Sequence, residues 1–248
     1  MSAASASIAG KDAVVIGVKA DQPGLGQATA GGSFEGFEVE VGKYVARRMG
    51  ASQVRFRAVT SENRERLLRE RKVDLVLASY SITAERLRQV TFGGPYYVAH
   101  QDIMVRRSQQ GVHTVRDLAG RRMCRASGSV STERITDGLG IRPRLVPAGS
   151  YGECYDRLVA GQVDVVSTGD LVLAGFVRKG GVRILNAPFT DERYGVGLRR
   201  GDIDGCEAVN RALTLMYQDG TASRLLHTWF GSSGLNLVET VPEFEGCS

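Results

Sequence analysis

Short apolar runs and amphipathic stretches alternate along this chain with enough regularity to place most of its elements. Residues 13–18 are an apolar run that reads as an opening strand. The motif Asp21-Gln22-Pro23-Gly24-Leu25-Gly26 follows, and its Pro and Gly predict a turn, with 31–34 as a second loop. From Phe37, apolar residues recur at Val41, Tyr44, Val45 and Met49, the spacing of an amphipathic helix that Gly50 ends. Residues 54–59 read as a strand and 63–71 as a charged helix turning Leu67 and Leu68 inward. The unbroken apolar run 73–78 suits a strand buried on both faces of a parallel sheet. The resulting β-α-β-α-β order implies parallel strands joined by right-handed crossovers.

The second half repeats the theme. Residues 90–98 are extended and aromatic but broken by Gly93-Gly94-Pro95, which suggests a passage between domains; 103–105 is a strand and 115–120 a short helix. Further strands are expected at 121–125, 144–147 and 182–187, and helices at 151–160, from Asp170 as a cap through Lys179, at 206–218 and at 221–229. A second passage is expected at 188–193, a return strand at 194–198 and an irregular tail beyond Gly231. Gly161-Gln162-Val163-Asp164-Val165 echoes Arg71-Lys72-Val73-Asp74-Leu75 in rhythm, which suggests two similar α/β lobes whose strand ends face a shared cleft.

Two strand ends carry candidate chemistry. After 73–78 come Ser79, Ser81 and Thr83, hydroxyls placed where a helix would start, with Thr83 the expected N-cap. Arg86 then falls at the third helical position, where a cation opposes the helix dipole and an acid or amide would close a capping box. An anion sharing the site would resolve the mismatch, because free N–H groups, hydroxyls and a guanidinium together make a carboxylate or phosphate receptor. The alternative is an ordinary Arg lying along a surface helix. The small-residue run Ala126-Ser127-Gly128-Ser129-Val130-Ser131-Thr132-Glu133 repeats the design, and its alternative is a well-capped helix.

Composition narrows the function classes. At 248 residues, with 42% hydrophobic and 24% charged positions, the chain can bury a substantial core. The net charge of +5 is spread among acids, so nucleic-acid binding is not indicated. All but five of the 32 basic residues are Arg, a bias that fits a GC-rich genome more than a binding role. No run approaches the ~20 apolar residues of a membrane span. The N-terminal Met1-Ser-Ala-Ala-Ser-Ala-Ser lacks the basic and apolar regions of a leader, so either the protein is cytosolic or its leader lies outside this sequence. Cys124, Cys154, Cys206 and Cys247 show no metal or redox spacing; their even number allows two disulfides or four buried thiols. His100, His113 and His227 stand in unrelated contexts and read as solvated or core histidines. No nucleophile, zinc or phosphate-loop motif is present, and no cofactor or metal is expected.

Taken in order, Gly36-Phe37-Glu38-Val39-Glu40-Val41, Lys72-Val73-Asp74, Ser81-Ile82-Thr83-Ala84-Glu85-Arg86, the aromatic segment 92–97, Asp117-Leu118-Ala119-Gly120, Asp219-Gly220-Thr221 and Trp229-Phe230-Gly231 resemble the polar amino-acid-binding proteins of ABC importers, solute-binding family 3. The resemblance spans nearly the whole chain, and Asp21 to Gly26 with Ser61-Glu62-Asn63-Arg64 look like its glutamate/glutamine branch. It implies the two-lobed periplasmic-binding-protein type 2 fold, each lobe a mostly parallel α/β sheet, with two crossover strands. Lobe 1 would comprise 1–98 plus 193–248, and lobe 2 residues 99–192.

By the same resemblance, Arg86 would grip the ligand's α-carboxylate, helped by the backbone of Ser81 and the helix start at Ser129 and Val130. The carbonyl of Ser79 and the hydroxyl of Ser81 would receive the α-ammonium. The family's second-lobe Asp for that ammonium is Gly169 here; Asp170 follows and is the substitute considered, and restoring the acid by Gly169→Asp is expected to strengthen binding. Ala20 stands where the branch tends to carry an aromatic cover. Lys19, Asp21, Gln22, Arg64 and Arg125 would line the side-chain pocket, where a Lys or Arg would pair with a γ-carboxylate. The resemblance pairs Cys124 with Cys154 and Cys206 with Cys247, which requires an oxidising compartment. An extracytoplasmic location follows, periplasmic or anchored at the cell surface, with the signal or anchor segment outside this sequence.

The main functional expectation is a monomeric receptor that closes over an amino acid and presents it to a membrane ABC permease. One alternative is the sensor domain of a membrane-anchored receptor or kinase. Another is an enzyme of the same fold, of the cyclic carboxylic acid dehydratase type, for which Glu62 and Asp21 would be the cleft acids.

Overall fold

The computed structural model describes residues 7–247; residues 1–6, most of the N-terminal run considered above, lie outside the described residues, as does Ser248. The chain forms β1 (Ala13–Val18), β2 (Asp21–Gln22), β3 (Gly26–Ala28), β4 (Phe34–Glu35), α1 (Phe37–Arg48), β5 (Gln53–Ala58), α2 (Arg64–Arg69), β6 (Leu75–Leu77), the one-turn α3 (Ala84–Leu87) and β7 (Val90–Arg106). After a 3-10 turn at Val115–Leu118 come β8 (Arg122–Ala126), the short α4 (Ser131–Glu133), β9 (Arg144–Ala148), α5 (Tyr151–Val159), β10 (Val165–Gly169), α6 (Asp170–Lys179), β11 (Val182–Ile184), β12 (Thr190–Arg199), α7 (Ile203–Gln218) and α8 (Thr221–Phe230).

Nine of the described strands join one sheet in the order β5-β1-β6-β12-β7-β10-β8-β9, with β11 on β7. At one end β5, β1 and β6 are parallel, and at the other so are β10, β8 and β9. Each triplet with its helices makes one lobe. Between them β7 and β12 run antiparallel to each other and to their neighbours, and β7 belongs to both lobes. The apolar runs in β1 and β6 are buried as their continuity predicts, with Ile16, Val18, Leu75 and Leu77 fully inside.

Several expectations need correction. The residues read as a turn and loop, 21–34, form a small antiparallel sheet, β2-β3-β4. Residues 90–106 are one strand, not a passage followed by a separate strand, and 190–199 are likewise continuous. Gly94-Pro95 is tolerated because β7 and β12 shift register between the pairs Tyr194–Tyr97 and Val196–Gly93. At such an irregularity the missing proline N–H leaves no ladder bond broken. Asp170 is not a cap: Gly169 occupies that position and Asp170 opens the helix, its Oδ1 accepting the Leu171 N–H at 2.7 Å. α7 starts earlier than expected because Asp202 caps it, accepting the Gly205 N–H at 3.0 Å. β11 stops at Ile184 because the following chain turns to Ile103 O and the Asp102 carboxylate for its hydrogen bonds.

Both disulfides form as the resemblance implied, Cys124 to Cys154 and Cys206 to Cys247. The first joins β8 to α5. The second draws the tail beyond α8 back to α7, and on its way the tail lies across the crossover strands, with Glu245 N–H on Gly94 O and Arg193 on Glu243 O and Glu245.

One packing detail of β12 bears on Gly169. A Cβ there would lie 2.0 Å from the Tyr194 hydroxyl and 3.0 Å from its Cζ. Tyr194 is itself buried, so the space a side chain would use is already filled. Gly169→Asp is therefore expected to lower the melting temperature, by overpacking worth about 1–3 kcal/mol, instead of tightening ligand binding; an unchanged melt with tighter binding would reverse this. The disulfides close segments separated by 30 and 41 residues. Replacing either pair with Ser should cost about 2–4 kcal/mol in denaturant unfolding, chiefly from the freed unfolded chain.

Candidate functional site

Thr83 caps α3 as its sequence predicts, its Oγ1 accepting the Arg86 N–H at 3.3 Å. That turn holds the Arg86 side chain inward and leaves it 6% exposed. Its Nη1 donates to Ser81 O at 2.8 Å within the same loop, and its Nη2 donates to Gly128 O at 3.0 Å across the cleft. One guanidinium therefore touches both lobes. The walls meet closely here, since a Cβ on Gly128 would lie 2.5 Å from backbone atoms of Ser61 and Glu62. A cavity of about 650 Å³ opens beside this contact, lined by Arg86, Ser61, Thr83, Gly128, Ser129 and Val130 among others.

Deeper in the first lobe lie two more cations. Lys19 is 5% exposed and donates to Ser61 Oγ at 2.6 Å; Arg64 is 1% exposed and donates to Ala78 O at 2.9 Å. The Arg64 guanidinium lies over the Tyr80 ring at 3.9 Å, and that of Arg86 is 5.2 Å from the same ring. Tyr80 donates its hydroxyl to Glu65 Oε1 at 2.8 Å, and that oxygen is 3.6 Å from both Arg64 Nε and Arg86 Nε. This arrangement offsets part of the charge without satisfying it. Burial and the neighbouring Arg64 bring the Lys19 ammonium down to about 7, and the same two causes bring Arg86 down to about 10.

Other residues nominated from sequence separate into those that join this cluster and those that do not. Gln22 is buried and accepts the Ser79 hydroxyl at 3.1 Å. Ser79 has a φ of +44°, and its N–H donates to Glu38 Oε1 at 2.6 Å. Ser129 shares a hydrogen bond of 2.7 Å with the Tyr151 hydroxyl, and Val130 precedes the first residue of α4. Arg125 lines the cavity mouth, paired with Glu133 at 3.0 Å, and Glu62 lines it too. Asp21 points elsewhere: its Oδ2 accepts the Gly152 N–H at 2.8 Å, at the start of α5 in the other lobe, where a carboxylate complements the helix dipole. Asp170 also lies apart, with Oδ2 3.2 Å from His100 Nδ1. His227 pairs with Glu239, and His113 is exposed.

Five participants carried no local signal. Glu38, Glu65, Tyr80, Tyr151 and Glu192 read as helix-face charges or core aromatics until the chain is folded. Glu38 accepts the Tyr96 hydroxyl as well as the Ser79 N–H, and burial raises its carboxyl.

Comparison with known proteins places the fold and the family. The sequence profile described as bacterial extracellular solute-binding proteins, family 3, matches residues 14–232. The chain is 36% identical over 244 residues to the glutamate-binding protein GluB of Corynebacterium glutamicum, covering 92% of this chain and 82% of that protein. It is 28% identical over 229 residues to the ABC transporter glutamine-binding protein GlnH of Bacillus subtilis, covering 90% and 83%. Among solved structures, an ancestral arginine-binding protein bound to glutamine superposes with a TM-score of 0.81 at 29% identity, over 90% of this chain and 99% of that one. The ancestral amino acid-binding protein AncCDT-1, a precursor of cyclohexadienyl dehydratase, gives 0.80 at 26% identity, over 89% and 96%. With a matched profile over most of its length, a two-lobed sheet and a cationic cleft between the lobes, the chain belongs to the bacterial extracellular solute-binding proteins of family 3.

Proposed function

We propose that this protein captures a polar amino acid, glutamate in first place, by closing its lobes, and that it presents the closed form to a membrane ABC permease. The carrying observation is the gathering of Lys19, Arg64 and Arg86, all buried, at one cleft, with Glu65 and Glu38 as the carboxylates nearest to them. Three cations suit a ligand with two carboxylates better than one whose side chain is an amide. The named specificities of GluB and GlnH point to the same pair of ligands.

In this reading Arg86 exchanges Ser81 O and Gly128 O for the α-carboxylate, aided by the Ser81 N–H and the chain at Ser129 and Val130. Ser79 O and the Ser81 hydroxyl face the α-ammonium. Lys19 and Arg64 hold the side-chain carboxylate, with Gln22 fixed beside them by Ser79. Asp21 serves closure, joining β2 to the start of α5, and Asp170 is engaged by His100 outside this set. We place lobe 1 at residues up to 98 together with those from 193, and lobe 2 at 99–192, so that both crossings fall within β7 and β12. The role is binding without catalysis, by a monomer, and two disulfides suit an extracytoplasmic location with its signal or anchor outside this sequence.

Arg86→Ala should weaken L-glutamate binding at least about a hundredfold in calorimetry, since two charge-assisted hydrogen bonds of roughly 1.5–3 kcal/mol each are lost. Affinity kept within threefold would sink the carboxylate assignment. A second expectation concerns pH. Lys19 titrates at about 7 in the unliganded protein, and a carboxylate bound against it favours the charged form. Binding therefore takes up a proton above pH 7, and glutamate affinity should fall from pH 7 to about 8.5, by up to about tenfold per unit. Glutamine affinity should stay flat over the same interval. Calorimetry in buffers of different ionisation enthalpy measures that proton uptake, and a flat glutamate profile would remove Lys19 from the site.

A further inference from the structure

A free amino acid brings a cation as well as an anion, and only one carbon separates its ammonium from the carboxylate that Arg86 would grip. The ammonium must therefore fall within a few ångströms of Arg86, and the acids near the cleft can be sorted by whether they have capacity left. Asp21 accepts from Gly152, and Asp170 is held by His100. Glu65 takes the Tyr80 hydroxyl and faces two guanidiniums. Glu38 receives the Ser79 N–H and the Tyr96 hydroxyl, and it already faces Lys19 and Arg64 as counter-charges.

Glu38 keeps Oε2 without a partner, Glu62 and Glu133 line the cavity mouth with Glu133 paired to Arg125, and Glu192 differs in that both of its oxygens lack an aligned hydrogen bond. It is 1% exposed, on β12 two residues before Tyr194 and so on the same strand face. Arg134 Nε lies 2.5 Å from its Oε1, yet neither carboxylate oxygen receives an aligned hydrogen bond. The Ser81 hydroxyl, Arg134 and Arg86 stand close enough to draw the carboxyl back toward its ionised form, against the burial that raises it. Ser81 is itself bridged to Tyr194, which ties the loop carrying the Arg86 site to this segment of β12. A buried carboxylate with unused acceptor capacity is costly, and a compact ammonium with three donors meets that need.

We propose that Glu192 receives the α-ammonium of the bound amino acid, together with the Ser81 hydroxyl. The inference rests on the amino-acid reading of the cleft. It also accounts for the Gly169 position, where the Tyr194 hydroxyl fills the space of a side chain while the acid comes from the same strand, two residues away. The Asp that the resemblance implies at the end of β10 would then be replaced by a carboxylate from the crossover strand.

The test is calorimetry with L-glutamate on the wild type, Glu192→Gln, Glu192→Asp and Arg134→Gln, each checked for a cooperative thermal melt. Glu192→Gln should bind about ten- to a hundredfold more weakly, with Glu192→Asp between it and the wild type, because a charge-assisted hydrogen bond is lost in the first and lengthened in the second. Arg134→Gln should match or exceed the wild type, since it releases the carboxylate. Affinity of Glu192→Gln within threefold of the wild type would overturn the proposal. Equal losses in Glu192→Gln and Arg134→Gln would also overturn it, by showing that the ion pair acts structurally. If Glu192→Gln does not fold, weaker binding by Glu192→Asp with normal binding by Arg134→Gln supports the proposal, and wild-type affinity in Glu192→Asp overturns it. A wild type that responds to no amino acid in a thermal-shift panel would remove the underlying reading and Glu192 with it, and that failure is visible before any variant is made.

Discussion

Burying Lys19, Arg64 and Arg86 around one cleft is the constraint on which the rest of the site depends. Each cation taken from water loses several kcal/mol of solvation, and mutual repulsion adds to that cost. The protein offsets part of it with carbonyl oxygens, at Ser81, Gly128 and Ala78, with the face of Tyr80, and with the carboxylates of Glu65 and Glu38, the latter itself raised by burial. Carbonyls and aromatic faces are weaker partners than carboxylates, so the cleft remains electrostatically unfinished. In the proposed reading an anionic ligand would complete it, and that contact would favour closure.

The crossover strands make such a cleft possible. β7 and β12 pair with each other through the middle of the sheet while their ends join different triplets. Continuous strands let the lobes share one hydrogen-bonded sheet, with one register shift between the pairs Tyr194–Tyr97 and Val196–Gly93. Direct bonds from Arg86 to Gly128 and from Asp21 to Gly152 then join the two walls. The tail lies across the same strands and is fastened to α7 by the Cys206–Cys247 bond.

The sequence by itself determined the repeating strand-helix rhythm, the Thr83 cap, the inward face of α1 and the chemistry gathered at Arg86. These are legible because they depend on neighbours within one or two turns: apolar period, hydroxyl placement and glycine stops are local properties. The disulfide pairs were reached only through resemblance, since four distant cysteines do not state their own partners. The boundaries that failed were set by distant contacts. Gly94-Pro95 reads as a break until a register shift opposite makes it harmless, and Asp170 reads as a cap until the helix takes Gly169 in that position. Tertiary structure alone decided that Glu38, Glu65 and Glu192, indistinguishable in sequence from solvated charges, stand beside a buried cationic cleft. The physical reason is that a carboxylate's role depends on its dielectric surroundings and its partners, and for these residues both come from segments far away in the chain.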